Sequence, residues 1–363
     1  MIRALAIAAL ALALVSCTDV NTGASGTVVE GHVVRVLQTG ERTIPGVERG
    51  QLFQRLEVEL DSSLYRGERV AVDWGGVRAL GPGALLREGD RVLLTVTRTD
   101  TDRTYTVSEV VRLPALAPLA VLLVLALLGI ARLAGLAAIA GLAASVGVFL
   151  LAIVPAIQRG DDPLVATVVG SVAVLVVSVF LVHGLGAKSV AALGGTLTGV
   201  VVVGGLGALA LSLARVSGYT SEETTFLAVA TDYRLDLARL ALAGVVVGSL
   251  GALVDMCVGQ ASATFELAAV SDELRGRELY LAALRVGRDH IGSLINTLAL
   301  AYFGGALPLV LLLSLGFQPL SVAINSEEMV LSILTVIVAS VGLVLCVPAT
   351  TAIAVAFAGE RRV

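Results

Sequence analysis

Residues 251–267 read GALVDMCVGQASATFEL, and residues 283–302 read ALRVGRDHIGSLINTLALAY. Both stretches are apolar enough to enter a membrane. Yet they carry Asp255, Gln260, Glu266, Arg285, Arg288, Asp289, His290 and Asn296. An ionisable group at membrane depth is costly, so it needs a partner, water or a task. Two such stretches in close succession mark the segment as the working part of a helical membrane domain.

The rest of the chain supports that reading. Of its 363 residues 56% are hydrophobic and 15% charged, and the mean hydropathy is +0.92. Soluble domains run nearer about 45–50% apolar and about 25% charged. The expected fold is a polytopic α-helical membrane protein of about seven transmembrane helices, with a small N-terminal extracytoplasmic all-β domain, OB-like or a small barrel. Net charge is −4, and no basic tract points to nucleic acid. Lys188 is the only lysine. Three cysteines, Cys17, Cys257 and Cys346, are too few and too scattered for a disulfide framework or a cysteine-based zinc site. The last two read as inert packing residues.

Apolar runs place helices at about 115–131, 135–156, 163–183, 189–213, 236–260, 290–316 and 330–357. Only Arg132 separates the first two as a polar residue, which implies a tight hairpin. With the β domain outside, the inner side holds Arg132, Lys188, Arg275, Arg277, Arg285, Arg288, Arg361 and Arg362. The outer loops hold Arg159, Arg215, Arg234 and Arg239. Eight basic residues against four obeys the positive-inside rule and puts the C-terminus in the cytoplasm. Residues 267–288 are polar and helix-compatible. They are expected to form an amphipathic link on the inner membrane surface, with Leu274, Leu281 and Leu284 buried; a re-entrant arrangement is the alternative.

At the amino terminus Arg3 precedes an apolar stretch, Ala4 to Val15, followed by Ser16-Cys17. It is too short to span and suits a signal peptide over residues 1–17. Leu14-Val15-Ser16-Cys17 is lipobox-like, making Cys17 a lipidation candidate; an uncleaved anchor and ordinary secretory cleavage stay open. All three send the chain beyond Cys17 out of the cytoplasm.

Residues 26–112 differ from the remainder, with 12 of the 25 basic and 13 of the 29 acidic residues. Alternating apolar residues at Val34 and Val36, at Leu56, Val58 and Leu60, and at Val70 and Val72 predict half-buried strands. Val92–Val96 and Tyr105–Val111 predict two more. Pro45-Gly46, Gly75-Gly76 and Gly81-Pro82-Gly83 punctuate them. Trp74 is expected in the core of this domain, and His32 in a structural role.

Several glycines fall inside the apolar runs. Gly195 and Gly199, Gly244 and Gly248, and the nearby Gly251 leave smooth faces for helix packing. Gly292 suits packing or gating. Asp255 lies well inside an apolar run. Ser262 and Glu266 follow at seven and eleven residues, on one helix face, with Gln260 off it. Asp289, Ser293 and Asn296 form a second stripe, and Arg285, four residues before Asp289, can pair with it. The polar site is therefore expected between the helices at 236–260 and 290–316, as Asp255, Ser262, Glu266, Arg285, Arg288, Asp289 and Asn296. Such a cluster carries protons, holds a cation or pins the bundle. No metal is assigned, and no cofactor is implied.

This segment resembles the YibE/F-like family of bacterial membrane proteins. The resemblance lies in Gly251-Ala252-Leu253-Val254-Asp255, in Ala261-Ser262-Ala263 with Glu266-Leu267, in Gly287-Arg288-Asp289-His290-Ile291-Gly292, and in Asn296-Thr297-Leu298 followed by Ala301-Tyr302. It covers the architecture too, with residues 115–357 as the family's transmembrane domain. The chain departs from the family at Gly259-Gln260, where apolar residues are usual, and at Ser293, where threonine is. The resemblance implies no settled activity.

Catalytic motifs are missing: there is no His-Glu-x-x-His, Walker A, Gly-x-Ser-x-Gly or Cys-x-x-Cys. The sequence therefore points away from an enzyme and toward a transporter or channel for a small ion or solute in the bacterial plasma membrane. The rival is an envelope assembly, scaffold or sensory protein that meets an envelope partner through residues 26–112.

Overall fold

The computed structural model describes residues 27–42, 50–62, 65–75, 80–98, 103–271, 273–316 and 319–360. Cys17 and the signal-peptide stretch, Pro45-Gly46, Gly76, Arg361 and Arg362 lie outside these residues. The chain divides into two compact units, one ending at Ile130 and the other running from Ala131.

The first unit holds five strands: β1 (Thr27–Arg42), β2 (Gln51–Leu60), β3 (Arg69–Gly75), β4 (Arg91–Arg98) and β5 (Arg103–Val110). All pairs are antiparallel, in the order β3-β2-β1-β4-β5. The long β1 serves both halves of the sheet, and its edge strands β3 and β5 approach each other. The result is a partly open, OB-like small barrel. Val33, Leu56, Val58, Leu60, Val72, Trp74, Val92, Leu94 and Val96 fill its core.

One detail of the alternation changes. Val33, not Val34, points inward, because β1 bulges between Val33 and Arg35 and again between Val36 and Gln38. A bulge adds a residue on one strand and resets the phase of the faces beyond it. Gly31 sits where a Cβ would lie 2.7 Å from the Glu59 carbonyl oxygen, so the coil of β1 there demands glycine. The barrel end is held by polar groups. Gln54 Nε2 donates to the Leu86 carbonyl at 3.0 Å, the Leu86 amide donates to Gln54 Oε1 at 2.7 Å, and Trp74 Nε1 donates to the Ala84 carbonyl at 2.9 Å. These bonds dock a single 3-10 turn, Pro82–Ala84, between β3 and β4. At the β3–β5 gap Arg98 donates to the Tyr65 hydroxyl at 2.6 Å, and the Tyr105 hydroxyl donates to Glu68 at 3.2 Å. Burial raises the Tyr105 phenol above its ordinary range. His32 pairs with Asp61 at 3.1 Å on the surface.

Beyond β5 the chain is helical, and the first span, up to Ile130, still belongs to the first unit. α1 covers Leu113–Val148, broken at Arg132, where φ 49 and ψ −122 leave the helical region. Two apolar spans result, Leu113–Arg132 and Ala134–Gln158. The second ends in a π turn, Phe149–Ile153, and α2 (Val154–Gln158). Then come α3 (Pro163–His183), α4 (Ala187–Leu213), α5 (Glu222–Ala230), α6 (Leu237–Val270), α7 (Gly276–Gly305), α8 (Leu307–Ser314), α9 (Leu320–Ile324) and α10 (Glu327–Glu360). Six helices are long and apolar enough to cross a membrane. The pair α7–α8, bent by 65°, makes a seventh if it counts as one span. The chain is thus a helical membrane domain joined to a small β domain.

Within the helical domain α4, α6 and α10 pack closely together, and α3 and α7 lie against them. Glycine permits the approach. A Cβ at Gly195 would collide with Thr350, and one at Gly199 would lie 2.7 Å from Leu253 Cδ2. In lipid, such tight contact replaces the hydrophobic drive that water supplies elsewhere.

Two polar ties group the helix ends. Arg239, at the start of α6, pairs with Asp162, which caps α3 through the amides of Leu164 and Val165. Glu327, at the start of α10, accepts from the Ser217 and Gly218 amides, both at 3.1 Å, just after α4. The starts of α3 and α6 therefore lie together, as do the end of α4 and the start of α10.

The link expected at 267–288 does not stand as a separate element. Its first residues belong to α6, and from Gly276 on it is the first half of α7, one continuous helix. Leu274 packs against the end of α10 rather than toward headgroups, and Leu281 is exposed. The reason is helical continuity: Arg285, Arg288 and Asp289 interrupt the apolar composition but not the backbone.

Candidate functional site

The buried face of α6 carries Leu253, Met256, Cys257, Gln260, Ala261 and Thr264. At 3.6 residues per turn, Gln260 lies about 140° around the helix from Asp255. Packing Gln260 inward therefore turns Asp255 outward. Asp255 and Glu266 are exposed and Ser262 half-buried. On α7 the buried and half-buried line runs through Ala283, Gly287, Ile291, Leu294, Leu298 and Tyr302. Arg285, Arg288, Asp289, His290, Gly292, Ser293 and Asn296 all fall on its exposed side.

This corrects the expected site between α6 and α7. The two helices pack together, but the predicted polar side chains are not enclosed between them. Among the described residues, Asp255, Glu266, Arg285, Arg288, Asp289 and Asn296 make no side-chain hydrogen bond or ion pair within the chain. The expected Arg285–Asp289 pair is not formed. The Ser262 hydroxyl donates to the Val258 carbonyl at 2.7 Å, an intrahelical bond.

The exposed face of α6 is narrow and regular. Gly244, Gly248, Gly251, Asp255, Gly259, Ser262 and Glu266 recur every three or four residues, within about 40° of one line. A Cβ added at Gly244, Gly251, Gly259 or Gly292 would meet nothing within 4 Å. Gly244, Gly251 and Gly292 are thus not packing positions within the chain, unlike Gly195 and Gly199. Gly248 lies beneath the Tyr302 hydroxyl, where α7 reaches the edge of the stripe.

What does join the helices is the residue that the sequence placed off the functional face. Gln260 Nε2 donates to the Ala283 carbonyl of α7 at 3.0 Å and to Thr351 Oγ1 of α10 at 2.8 Å. Opposite it, a Cβ at Gly287 would sit 2.6 Å from Gln260 Oε1 and 2.8 Å from Val347 Cγ1. Glycine at 287 is what lets α7 settle on this amide. The sequence held one signal: a glutamine inside an apolar run. Cys257 and Cys346 are buried in the same core, with their thiols within hydrogen-bonding reach of each other.

Two cavities flank α7. One, of about 110 Å³, lies between the α6–α7 turn and the end of α10, lined by Leu274, Arg275, Gly276 and Val355. The other, about 360 Å³ and apolar, lies among α7, α8 and α10, with Tyr302, Phe303, Val310 and Ile333 in its wall. Neither includes the acidic or arginine side chains of the stripe. Among the described residues no three of His, Cys, Asp and Glu converge as metal ligands would.

The YibE/F-like protein family matches residues 119–360. The chain belongs to this family. The match takes in every span from α1 to α10 and both polar stripes. No curated protein and no solved structure matches the chain.

Proposed function

We propose that this YibE/F-like protein transports or conducts a small ion or solute across the bacterial plasma membrane. The observation that carries the reading is the row of ionisable and amide side chains on α6 and α7, without hydrogen-bond or ion-pair partners among the described residues. Membrane helices keep such groups where an ion or proton path needs them. Asp255 and Asp289 would take the cation or proton, Ser262 and Asn296 would add neutral oxygens, and Arg285, Arg288 and Glu266 would set the local charge. The β domain at 26–112 would lie outside the cytoplasm, after a signal segment at 1–17 with Cys17 as its lipidation candidate, and the C-terminus would lie inside. The test is current recording on a solid-supported membrane with purified proteoliposomes, offering protons, monovalent and divalent cations and common anions in turn. A current that Asp255→Asn abolishes while the protein stays folded is expected. A wild-type current unchanged in that variant would remove Asp255 from the path.

A second reading rests on a separate observation, the compact β domain. An envelope scaffold or sensor would act through it, and deleting residues 26–112 would then abolish function while Asp255→Asn would not.

A further inference from the structure

Among the described residues, the outward polar side chains of α6 and α7 find no partner within the chain. α6 offers Asp255 and Glu266 along a glycine-smooth line, and α7 offers Arg285 and Arg288 with Asp289 beside them, a net positive face against a negative one. Asp255 lies well inside the apolar run of α6, where hydrocarbon cannot solvate it, so something covers this face. The glycines set how close the cover comes. Gly244, Gly251 and Gly259 have open space where a side chain would stand, so a second helix can lie directly against the α6 backbone.

The depths of the charges identify the occupant. α6 and α7 are antiparallel and joined by a short turn, so depth is counted from that turn in both. At 1.5 Å per residue, Glu266 lies about 6 Å from the end of α6 and Asp255 about 22 Å. Arg285 lies about 13 Å from the start of α7 and Arg288 about 18 Å. The arginines of one helix thus fall between the two carboxylates of the other. A two-fold axis along the membrane normal preserves depth, and an isologous interface brings each patch against its counterpart twice. The geometry points to a second copy of this chain as the cover: a symmetric dimer in which Asp255 and Glu266 of one α6 face Arg285 and Arg288 of the other chain's α7. Ion pairs formed there specify register as well as association. The dimer is independent of the transport reading and stands even if the protein moves nothing.

The dimer makes a reciprocal prediction. The full chain, labelled with one fluorophore and reconstituted at high dilution in liposomes, would be counted by single-molecule photobleaching. Wild type should bleach in two steps. Asp255→Arg with Glu266→Arg, or Arg285→Glu with Arg288→Glu, should shift the population to one step, at least tenfold at equal protein-to-lipid ratio. Combining all four changes in one chain should restore two steps, because α6 then presents two arginines to two glutamates of the other chain's α7. One-step bleaching of wild type would overturn the proposal. So would a dimer indifferent to either set of reversals, or a loss that the combination fails to restore. Because charge reversal can also impair folding, Gly259→Cys in the otherwise unaltered chain gives a second measure. A short bismaleimide should join two copies through residue 259. Cross-linking to a different protein, or to residues 113–132 of the same chain, would assign the face to that occupant instead and overturn the dimer.

Discussion

Gln260 is the residue on which the helical core turns. Its amide links three helices, and each bond ends on a buried acceptor: a backbone carbonyl at Ala283 and a hydroxyl at Thr351. Replacing it with leucine keeps the volume but removes both interhelical bonds, while the Ala283 carbonyl keeps its helical partner and the Thr351 hydroxyl its bond to the Val347 carbonyl. Interhelical bonds in membranes measure about 0.6–2 kcal/mol. Gln260→Leu should therefore lower the thermal stability of the detergent-solubilised protein by about 1–2 kcal/mol. Asp255→Asn, on the opposite face and without a partner in the chain, should leave it unchanged. Differential scanning fluorimetry on the two variants decides the matter; equal losses would show that Asp255 too is built into the fold. The contrast also explains what the sequence could and could not reveal. The polar residues were legible because each is exceptional in an apolar run. Their direction was not, since α6 is apolar on all sides and periodicity alone does not say which face turns inward. Asp255 and Gln260 looked equally eligible for burial. Only the fit of α7 and α10 around the amide decides between them.

At the scale of the helices, the glycines fall into two classes with opposite consequences. Gly195 and Gly199 on α4 lie against Thr350 and Leu253, and the added methylenes of a larger residue have nowhere to go. Overpacking of this kind costs about 1–3 kcal/mol. Gly195→Val should accordingly destabilise the chain whatever its oligomeric state. Gly251→Val projects into open space and should leave the unfolding temperature of the dissociated chain unchanged, while weakening association of the copies. Measuring thermal unfolding and photobleaching steps on the same two variants separates the classes; a stability loss at Gly251 equal to that at Gly195 would place it inside the chain's own packing. The spans themselves were readable from apolar length, and α3 begins and ends at the residues its hydropathy predicts. The boundary of α7 was not readable. Thirteen residues beginning at Gly276 have surface-like composition, yet they form the first half of the helix that carries Asn296 and Tyr302. Composition reports what surrounds a helix, whereas the hydrogen-bonded backbone runs through both surroundings unchanged. In the β domain the reverse held. Strand positions kept to the two-residue alternation, and the sequence missed the bulges of β1 and of the β4–β5 pair, which alter phase without altering composition.

For the molecule as a whole, the helix ends supply a test of orientation that does not depend on any single loop. The Asp162–Arg239 pair and the contacts of Glu327 with Ser217 and Gly218 gather the starts of α3, α6 and α10 with the end of α4. The turn between α6 and α7 lies with the end of α10, across the other set of ends. This grouping fixes which loops share a side, and the basic residues then choose the side. Arg159, Arg215, Arg234 and Arg239 belong with the first group and are accompanied by the acidic pairs Asp161-Asp162, Glu222-Glu223 and Glu327-Glu328. Lys188, Arg275, Arg277, Arg285 and Arg288 belong with the second, where Arg132, Arg361 and Arg362 are also expected. We propose that the second group is the cytoplasmic one, because arginine and lysine are retained on that face and acidic residues exert little opposing influence. Thr220→Cys, between α4 and α5, should therefore react with a membrane-impermeant maleimide on intact cells. Glu273→Cys, between α6 and α7, should react only after permeabilisation, with the unaltered chain as the blank, because Cys257 and Cys346 are buried and any labelling of Cys17 is common to the blank and the variants. Glu88→Cys in the β domain should label like Thr220→Cys. The spans between them are Leu113–Arg132, Ala134–Gln158, α3 and α4, an even number that returns the chain to the side it left. Labelling of Glu88→Cys and Thr220→Cys on opposite sides would mean that the Arg132 break turns the chain within the membrane instead of dividing two crossings. The positive-inside assignment would then have to be counted again from α3 onward.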